Sequence, residues 1–218
     1  MKKSALIAAA AVATMVCSGV SAAPLTDYTA GKTAIDLTFR SSDLNDKGPG
    51  YDVSFDKKTN LDWGITTGLG NKFAIQYNGY NAKSDDTLRY NGSIDNLELK
   101  TQEFNVLYQI DKNISAYTGV VKSKATWNND ESSNEKSKMQ FGLIGSTKIA
   151  DKTTAYASVA VASDFTNWKI GVSQEIAPNL DFNVDYRRMQ VKNLTGDTYT
   201  GSDDITTKGL GYGVTYKF

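Results

Sequence analysis

The 218-residue sequence contains no histidine, a single cysteine and only three prolines. The absence of histidine excludes Ser-His hydrolases, histidine proton shuttles and histidine-ligated zinc sites. The one cysteine, Cys17, falls in the N-terminal segment, so the rest of the chain can form no disulfide bond. Because no recognisable catalytic motif is present either, we expect no enzymatic activity, no metal site and no cofactor.

The charges show no excess of one sign. Lysine and arginine together number 24, as do aspartate and glutamate. Without the two lysines of the first three residues, the counts become 22 and 24, a net charge of −2. No cluster of lysine and arginine is present, so the sequence does not predict nucleic-acid binding.

The N-terminus has the order of a secretory signal. Two lysines precede an apolar run over Ala5–Val16, and small residues follow. This pattern predicts a signal peptide over residues 1–22, cleaved between Ala22 and Ala23, and export through the Sec route. An uncleaved anchor is the alternative, although the run is short for a membrane helix.

After residue 23 no apolar run approaches the length of a membrane helix, but apolar and polar residues alternate from residue 32 to the end. The alternation predicts a short periplasmic segment over 23–31 and a barrel domain over 32–218. Ten strands are predicted, with the phase ambiguous in the fifth and seventh: Lys32–Arg40, Thr59–Leu69, Lys72–Tyr80, Leu97–Ile110, Asn113–Lys122, Lys138–Ile149, Thr153–Ala162, Asn167–Ile176, Asn179–Val191 and Thr206–Phe218.

The connections between these strands alternate in length. Tight turns at residues 70–71, 111–112, 150–152 and 177–178 alternate with longer polar stretches, except near residue 163. The long stretches, predicted to be external loops, are Ser41–Lys58, Asn81–Asn96, Ser123–Ser137 and Lys192–Ile205. In an antiparallel meander this pattern places short turns at one end and long loops at the other, as in outer-membrane barrels.

The two faces of the strands differ in polarity. One face is apolar, with aromatic residues near the strand ends, and the other is rich in glycine, short polar side chains and charges of both signs. Short side chains and mutually neutralising charges suit a narrow lumen, so we expect the apolar face to contact lipid. The predicted lumen-facing polar residues are Asp36, Arg40, Asp62, Gln76, Lys169, Glu175, Asp181, Asp185, Arg187 and Lys217.

The chain resembles the small bacterial outer-membrane β-barrel proteins, a group that includes OmpX-like, opacity-type and OmpA-transmembrane-domain barrels. The signal segment, the alternating connection lengths and the final strand carry this resemblance. The final strand resembles the signal read by the barrel-assembly machinery, and its alternating positions are Leu210, Tyr212, Val214, Tyr216 and Phe218.

The resemblance implies an all-β, closed, up-and-down antiparallel transmembrane barrel of about ten strands, with eight or twelve as alternatives. It also implies an outer-membrane location, and as partners the membrane lipids, lipopolysaccharide and the assembly machinery. Enzymes of this group rely on histidine, which this chain lacks.

Three functions remain open from the sequence. The first is a passive barrel, either structural or a narrow porin-like pore for small solutes or ions. The second is a surface module that binds a host or another cell through the long loops. The third is a soluble exported carrier of the lipocalin type, which would turn the apolar face inward.

Overall fold

A computed structural model describes residues 25–88, 94–128, 131–196 and 201–218. The predicted signal peptide, with Ala22 and Ala23, lies outside the described residues. Among the described residues, no helix is long and apolar enough to cross a membrane. The residues within these ranges form ten long strands: β1 (Thr33–Gly48), β2 (Tyr51–Gly70), β3 (Phe73–Lys83), β4 (Leu97–Asp111), β5 (Ile114–Trp127), β6 (Lys136–Ala150), β7 (Thr153–Ala162), β8 (Phe165–Ala177), β9 (Leu180–Leu194) and β10 (Asp203–Lys217).

The strands form a closed antiparallel barrel. Each strand pairs with the next along the chain, and β1 also pairs with β10, from Ala34 opposite Lys217 to Lys47 opposite Asp204. Thr33 and Phe218 extend this seam, because each backbone N–H donates to the carbonyl of the other at 2.7 and 2.9 Å. The prediction of an up-and-down barrel with ten strands is confirmed.

Tight turns connect consecutive strands at one end of the barrel, and we call this end the mouth. In the β2–β3 turn, Asn71 and Lys72 both have positive φ angles, of 52° and 70°. Positive φ at both central residues gives a hairpin turn whose twist matches that of the strands. In the β8–β9 turn, Asn179 takes a positive φ of 65°.

The apolar belt surrounds the half of the barrel next to the mouth. On β10 the outward side chains run from Leu210 to Phe218, and both ends of this row are exposed. Eight residues of a strand span about 26 Å, which corresponds to a height of about 20 Å at the tilt usual for such barrels. A belt of this height suits contact with hydrocarbon.

Beyond the belt the barrel wall continues as a polar-surfaced collar (residues 41–60, 81–83, 97–101, 122–127, 136–138, 188–194 and 203–208). The prediction that Ser41–Lys58 is a loop is wrong, since β1 runs to Gly48 and β2 begins at Tyr51. In Ser123–Ser137 the long strands continue over residues 123–127 and 136–137, and in Lys192–Ile205 over residues 192–194 and 203–205. In Asn81–Asn96, β3 extends to residue 83, and a short pairing joins residues 87–88 to 94–95.

The collar residues resemble loops in sequence because the polarity of the two faces inverts there. In the belt, between the mouth and the collar, apolar side chains point outward and polar ones inward. Inside the collar and at its lower edge, fourteen buried apolar residues of the described chain form a core that includes Leu44, Phe55, Met189 and Ile205. The collar is therefore built like a water-soluble barrel, with its hydrophobic core inside and polar side chains outside.

Candidate functional site: a filled lumen

The middle of the lumen contains a network of buried charges on four strands. Arg40, 1% exposed, contacts Asp62 at 3.0 Å and Asp185 at 2.5 Å. Arg187 contacts Asp62 at 3.0 Å and Glu103 at 3.2 Å. Two guanidinium groups thus share three carboxylates, which satisfies charges that would be very costly to bury alone.

Neutral side chains complete this network. Tyr156 donates to Asp185 at 3.3 Å, and Gln140 donates to Glu103 at 2.9 Å. Asn167 accepts from Arg187 Nε at 2.9 Å, and the Tyr80 ring lies 5.2 Å from the Arg187 guanidinium carbon. The extra partners hold the charged groups in fixed positions across the lumen.

A small chamber of about 90 Å³ lies beside the network. Its lining includes Asp36, Gln76 and Lys169 as well as members of the network. Thr215 donates a hydrogen bond to Asp36, and the Lys169 ammonium lies 5.8 Å from the centre of the Tyr156 ring. The chamber has room for a few water molecules.

The N-terminal segment 25–31 fills the lumen at the mouth. Leu25 and Tyr28 are buried there against Ala74 and Leu107. The Tyr28 hydroxyl donates to Ser115 at 3.0 Å. Backbone hydrogen bonds also tie the segment to β2, including one from the Gly70 N–H to the Tyr28 carbonyl at 2.8 Å.

The collar fills the opposite end. Its apolar core spans the lumen, and Trp127 donates across it to Asp46 at 2.7 Å. Tyr51 donates to Asp203 at 2.5 Å. Above the core, the β5–β6 and β9–β10 connections meet through a hydrogen bond of 3.0 Å from the Asn134 N–H to the Thr195 carbonyl. Packed side chains therefore occupy the lumen at three successive levels.

The predicted lumen residues lie on the inward face, but they do not form one cluster. Arg40, Asp62, Asp185 and Arg187 belong to the network, and Asp36, Gln76 and Lys169 line the chamber. Asp181 and Lys217 form a separate ion pair of 2.6 Å near the mouth. Glu175, opposite Asp181, joins neither group.

Sequence reasoning missed Glu103 and the N-terminal segment. Glu103 alternates with the outward Phe104, so reading the polar face of β4 as closely as that of β9 would have found it. Burial of Leu25 and Tyr28 had no comparable signal, because segment 25–31 has no strand alternation.

Two carboxyl groups outside the membrane-spanning strands have lowered pKa values. The side-chain and backbone donors of Thr29 lower the pKa of Asp27 beside the mouth. Burial raises the pKa of Asp164 in the β7–β8 turn, but hydrogen bonds from Asn193 and Lys138 outweigh it and give a net lowering. Among the described residues, no cluster of side chains suited to hold a metal ion is present.

Comparison with known proteins supports the fold. No protein-family model and no curated protein sequence matches the chain. Among solved structures, the outer membrane protease OmpT from Escherichia coli is similar, with a TM-score of 0.58 and 11% identity over 92% of this chain and 99% of that one.

Two smaller barrels also align. Ail, the attachment invasion locus protein of Yersinia pestis, has a TM-score of 0.42 and 14% identity, over 86% of this chain and 100% of that one. Neisserial surface protein A has a TM-score of 0.45 and 13% identity, over 86% and 99%. With its closed ten-stranded wall and exposed apolar belt, the chain has the fold of the outer-membrane β-barrels.

Proposed function

We propose that this protein is a sealed structural barrel of the outer membrane, reached through the Sec route after removal of the signal peptide. The observation that carries this proposal is the filling of the lumen at three levels: the N-terminal segment, the charged network and the collar core. Each level is held by packing or buried hydrogen bonds rather than by a single side chain. A conducting path would have to displace all three.

The membrane location is supported by the belt. Large apolar side chains face outward around the mouth half of the barrel, including Leu210, Phe141 and Met139, each at least 60% exposed. A soluble carrier would bury such a face around its ligand, so this arrangement disfavours the lipocalin-type alternative. Closure of the sheet also leaves no strand edge exposed to hydrocarbon, as a spanning barrel requires.

We propose no enzymatic activity. OmpT, whose structure is similar, is a protease, but a likeness at 11% identity concerns the fold alone. The sequence provides no histidine for acid-base chemistry. Asp62, Glu103 and Asp185 in the lumen are paired with guanidinium groups, which supports a structural role for them.

Single-channel recording in a planar bilayer tests the sealed barrel. We expect the purified protein, once a heat-dependent gel shift shows that the barrel is folded, to give no conductance steps. Steps in the wild type whose ion selectivity changes in Arg187→Glu would place a conducting path in the lumen and refute the proposal. Steps that this variant leaves unchanged would come from a contaminant, because Arg187 lies in the middle of the lumen.

A second candidate function, surface binding, is supported by the collar. Residues 41–48 of β1 rise about 20 Å above the belt, with polar side chains outside. Replacing residues 128–135 of the β5–β6 connection by a two-residue turn should reduce attachment of expressing cells to a host-cell layer if this surface binds. Unchanged attachment, with the gel shift intact, would remove this connection as the binding element.

A further inference from the structure

A pocket of about 380 Å³ opens on the outer face of the collar. It lies between the β1–β2 hairpin and the β9–β10 pair, where the β1–β2 register shifts between Ser42 and Leu44. Its lining residues are Asp43, Leu44, Asn45, Ser54, Phe55, Arg188, Thr206 and Lys208.

Two positive charges face each other in this pocket. Arg188 on β9 lies directly opposite Lys208 on β10. Like charges in directly opposed positions destabilise a sheet. In the part of the chain that the structure describes, neither side chain has an ion pair or hydrogen bond. Asp43 lies opposite Lys208 but forms its ion pair with Lys57, at 3.4 Å.

Several lysines of the collar surface are neutralised within the chain, although Lys100 on β4 lies opposite Lys124 on β5 as a second pair of like charges. Lys83 contacts Glu98 at 2.9 Å, and Lys122 contacts Glu135 at 3.1 Å. What distinguishes the Arg188–Lys208 pair is that both of its side chains line a pocket. An anion bound between the two cations would remove their repulsion.

The position of the pocket relative to the belt indicates what kind of anion can reach it. Lys208 lies two residues beyond Leu210 of the belt, and Arg188 two residues beyond Tyr186. Trp168 lies opposite Arg188, and its ring is 5.6 Å from that of Tyr186. Aromatic rings of this kind mark the headgroup level of a membrane.

We propose that this pocket binds the net negatively charged, phosphate-bearing headgroup of a membrane lipid, with Arg188 and Lys208 on the phosphate and the acyl chains against the belt. This inference rests on the proposed membrane location. A guanidinium group can donate two hydrogen bonds to one phosphate. Thr206, which also lines the pocket, supplies a hydroxyl group for the rest of a polar headgroup.

Native mass spectrometry of the full mature protein tests the site. The protein in detergent is offered equal amounts of phosphatidic acid and phosphatidylcholine with identical acyl chains. We expect retention of phosphatidic acid to exceed that of phosphatidylcholine about tenfold, the factor that two partly exposed charge contacts provide. Arg188→Gln/Lys208→Gln should abolish the preference.

The control Lys83→Gln/Lys122→Gln removes the same charge from the collar surface and should keep the preference. Thr206→Phe fills the pocket without changing its charge and should lose it. No preference in the wild type, equal loss in the control, or full preference in Thr206→Phe would each overturn the proposal.

Inorganic phosphate at the concentration of the lipid should not displace phosphatidic acid. Complete displacement would show that the site takes a soluble phosphate and would overturn the assignment to a lipid. The heat-dependent gel shift in pure phosphatidylcholine vesicles is measured separately. Its absence would refute the membrane barrel itself, whereas its presence without lipid preference would refute only the pocket.

Discussion

Replacing Arg187 by methionine should destabilise the barrel through the charges it leaves behind. Methionine keeps most of the length of the side chain but loses contacts of 3.0 Å to Asp62 and 3.2 Å to Glu103. Removing one partner of a buried ion pair costs about 3–5 kcal/mol. Because Asp62 keeps Arg40 and the adjacent chamber can admit water, we expect a loss at or just below the lower end of this range, about 2–3 kcal/mol.

The neighbouring arginine provides a matched control. Arg188→Met makes the same chemical change one residue later, on the outer face, where no carboxylate is paired with the side chain in the described part of the chain. We expect its effect to stay within about 0.5 kcal/mol. The assay is urea unfolding in phosphatidylcholine vesicles, whose headgroups carry no net charge, followed through the band of folded protein on an unheated gel.

A second substitution tests the cause. Arg187→Met/Glu103→Gln removes the carboxylate that has lost its guanidinium partner, so it should recover part of the lost stability. Equal destabilisation by Arg187→Met and Arg188→Met would refute the account, because it would show no dependence on which face the arginine occupies. No recovery in the double variant would show that lost packing, not an unpaired charge, causes the effect.

Three further predictions concern the mouth and the collar. Gly68→Val should displace segment 25–31 from the lumen, because a Cβ at Gly68 would lie 2.7 Å from the carbonyl oxygen of Tyr28. We expect faster amide hydrogen exchange in segment 25–31, and unchanged exchange would contradict the prediction. Phe55→Ala should cost about 3–5 kcal/mol in the same urea assay; a loss below about 1 kcal/mol would mean that the collar core is not packed as described. The lowered pKa of Asp164 means that its contact with Asn193 stabilises the folded state above the ordinary carboxyl pKa and is lost as the pH falls through the lowered value. Asp164→Asn should remove this pH dependence, worth less than about 1 kcal/mol for a partly exposed group. An unchanged stability profile between about pH 2 and 5 would contradict the assignment.

The strands of the belt could be predicted from the sequence because lipid contact imposes a simple period of two. On β10, Leu210 to Phe218 alternate with glycine, threonine and lysine, and the predicted and observed strands agree closely. The collar strands could not be predicted in this way. In the collar the apolar residues lie on the inward face instead of the outward face. If the outward face is assumed to be apolar throughout, Leu44 and Phe55 look like isolated apolar residues in a polar loop.

The lumen could be predicted in composition but not in arrangement. Polar residues on the inward face follow from alternation, which identified both arginines of the network. Which carboxylate meets which arginine depends on the barrel bringing together strands far apart in sequence, as in the 145-residue separation of Arg40 and Asp185. The filling of the mouth by Tyr28 depends on the closed wall that surrounds it, which no local pattern of segment 25–31 contains.

The inversion of polarity itself locates the boundary of the membrane. On β9 and β10 the belt ends at Tyr186 and Leu210, which are directly opposed in the sheet. The collar core begins at Met189, opposite Thr207, which lies opposite Leu44. On the neighbouring strands β9, β10 and β1, the apolar residues thus change from the outward to the inward face at the same height. Packing within the barrel cannot require this change, because both halves enclose a lumen of the same strands. A change of solvent outside the wall, from hydrocarbon to water, does require it.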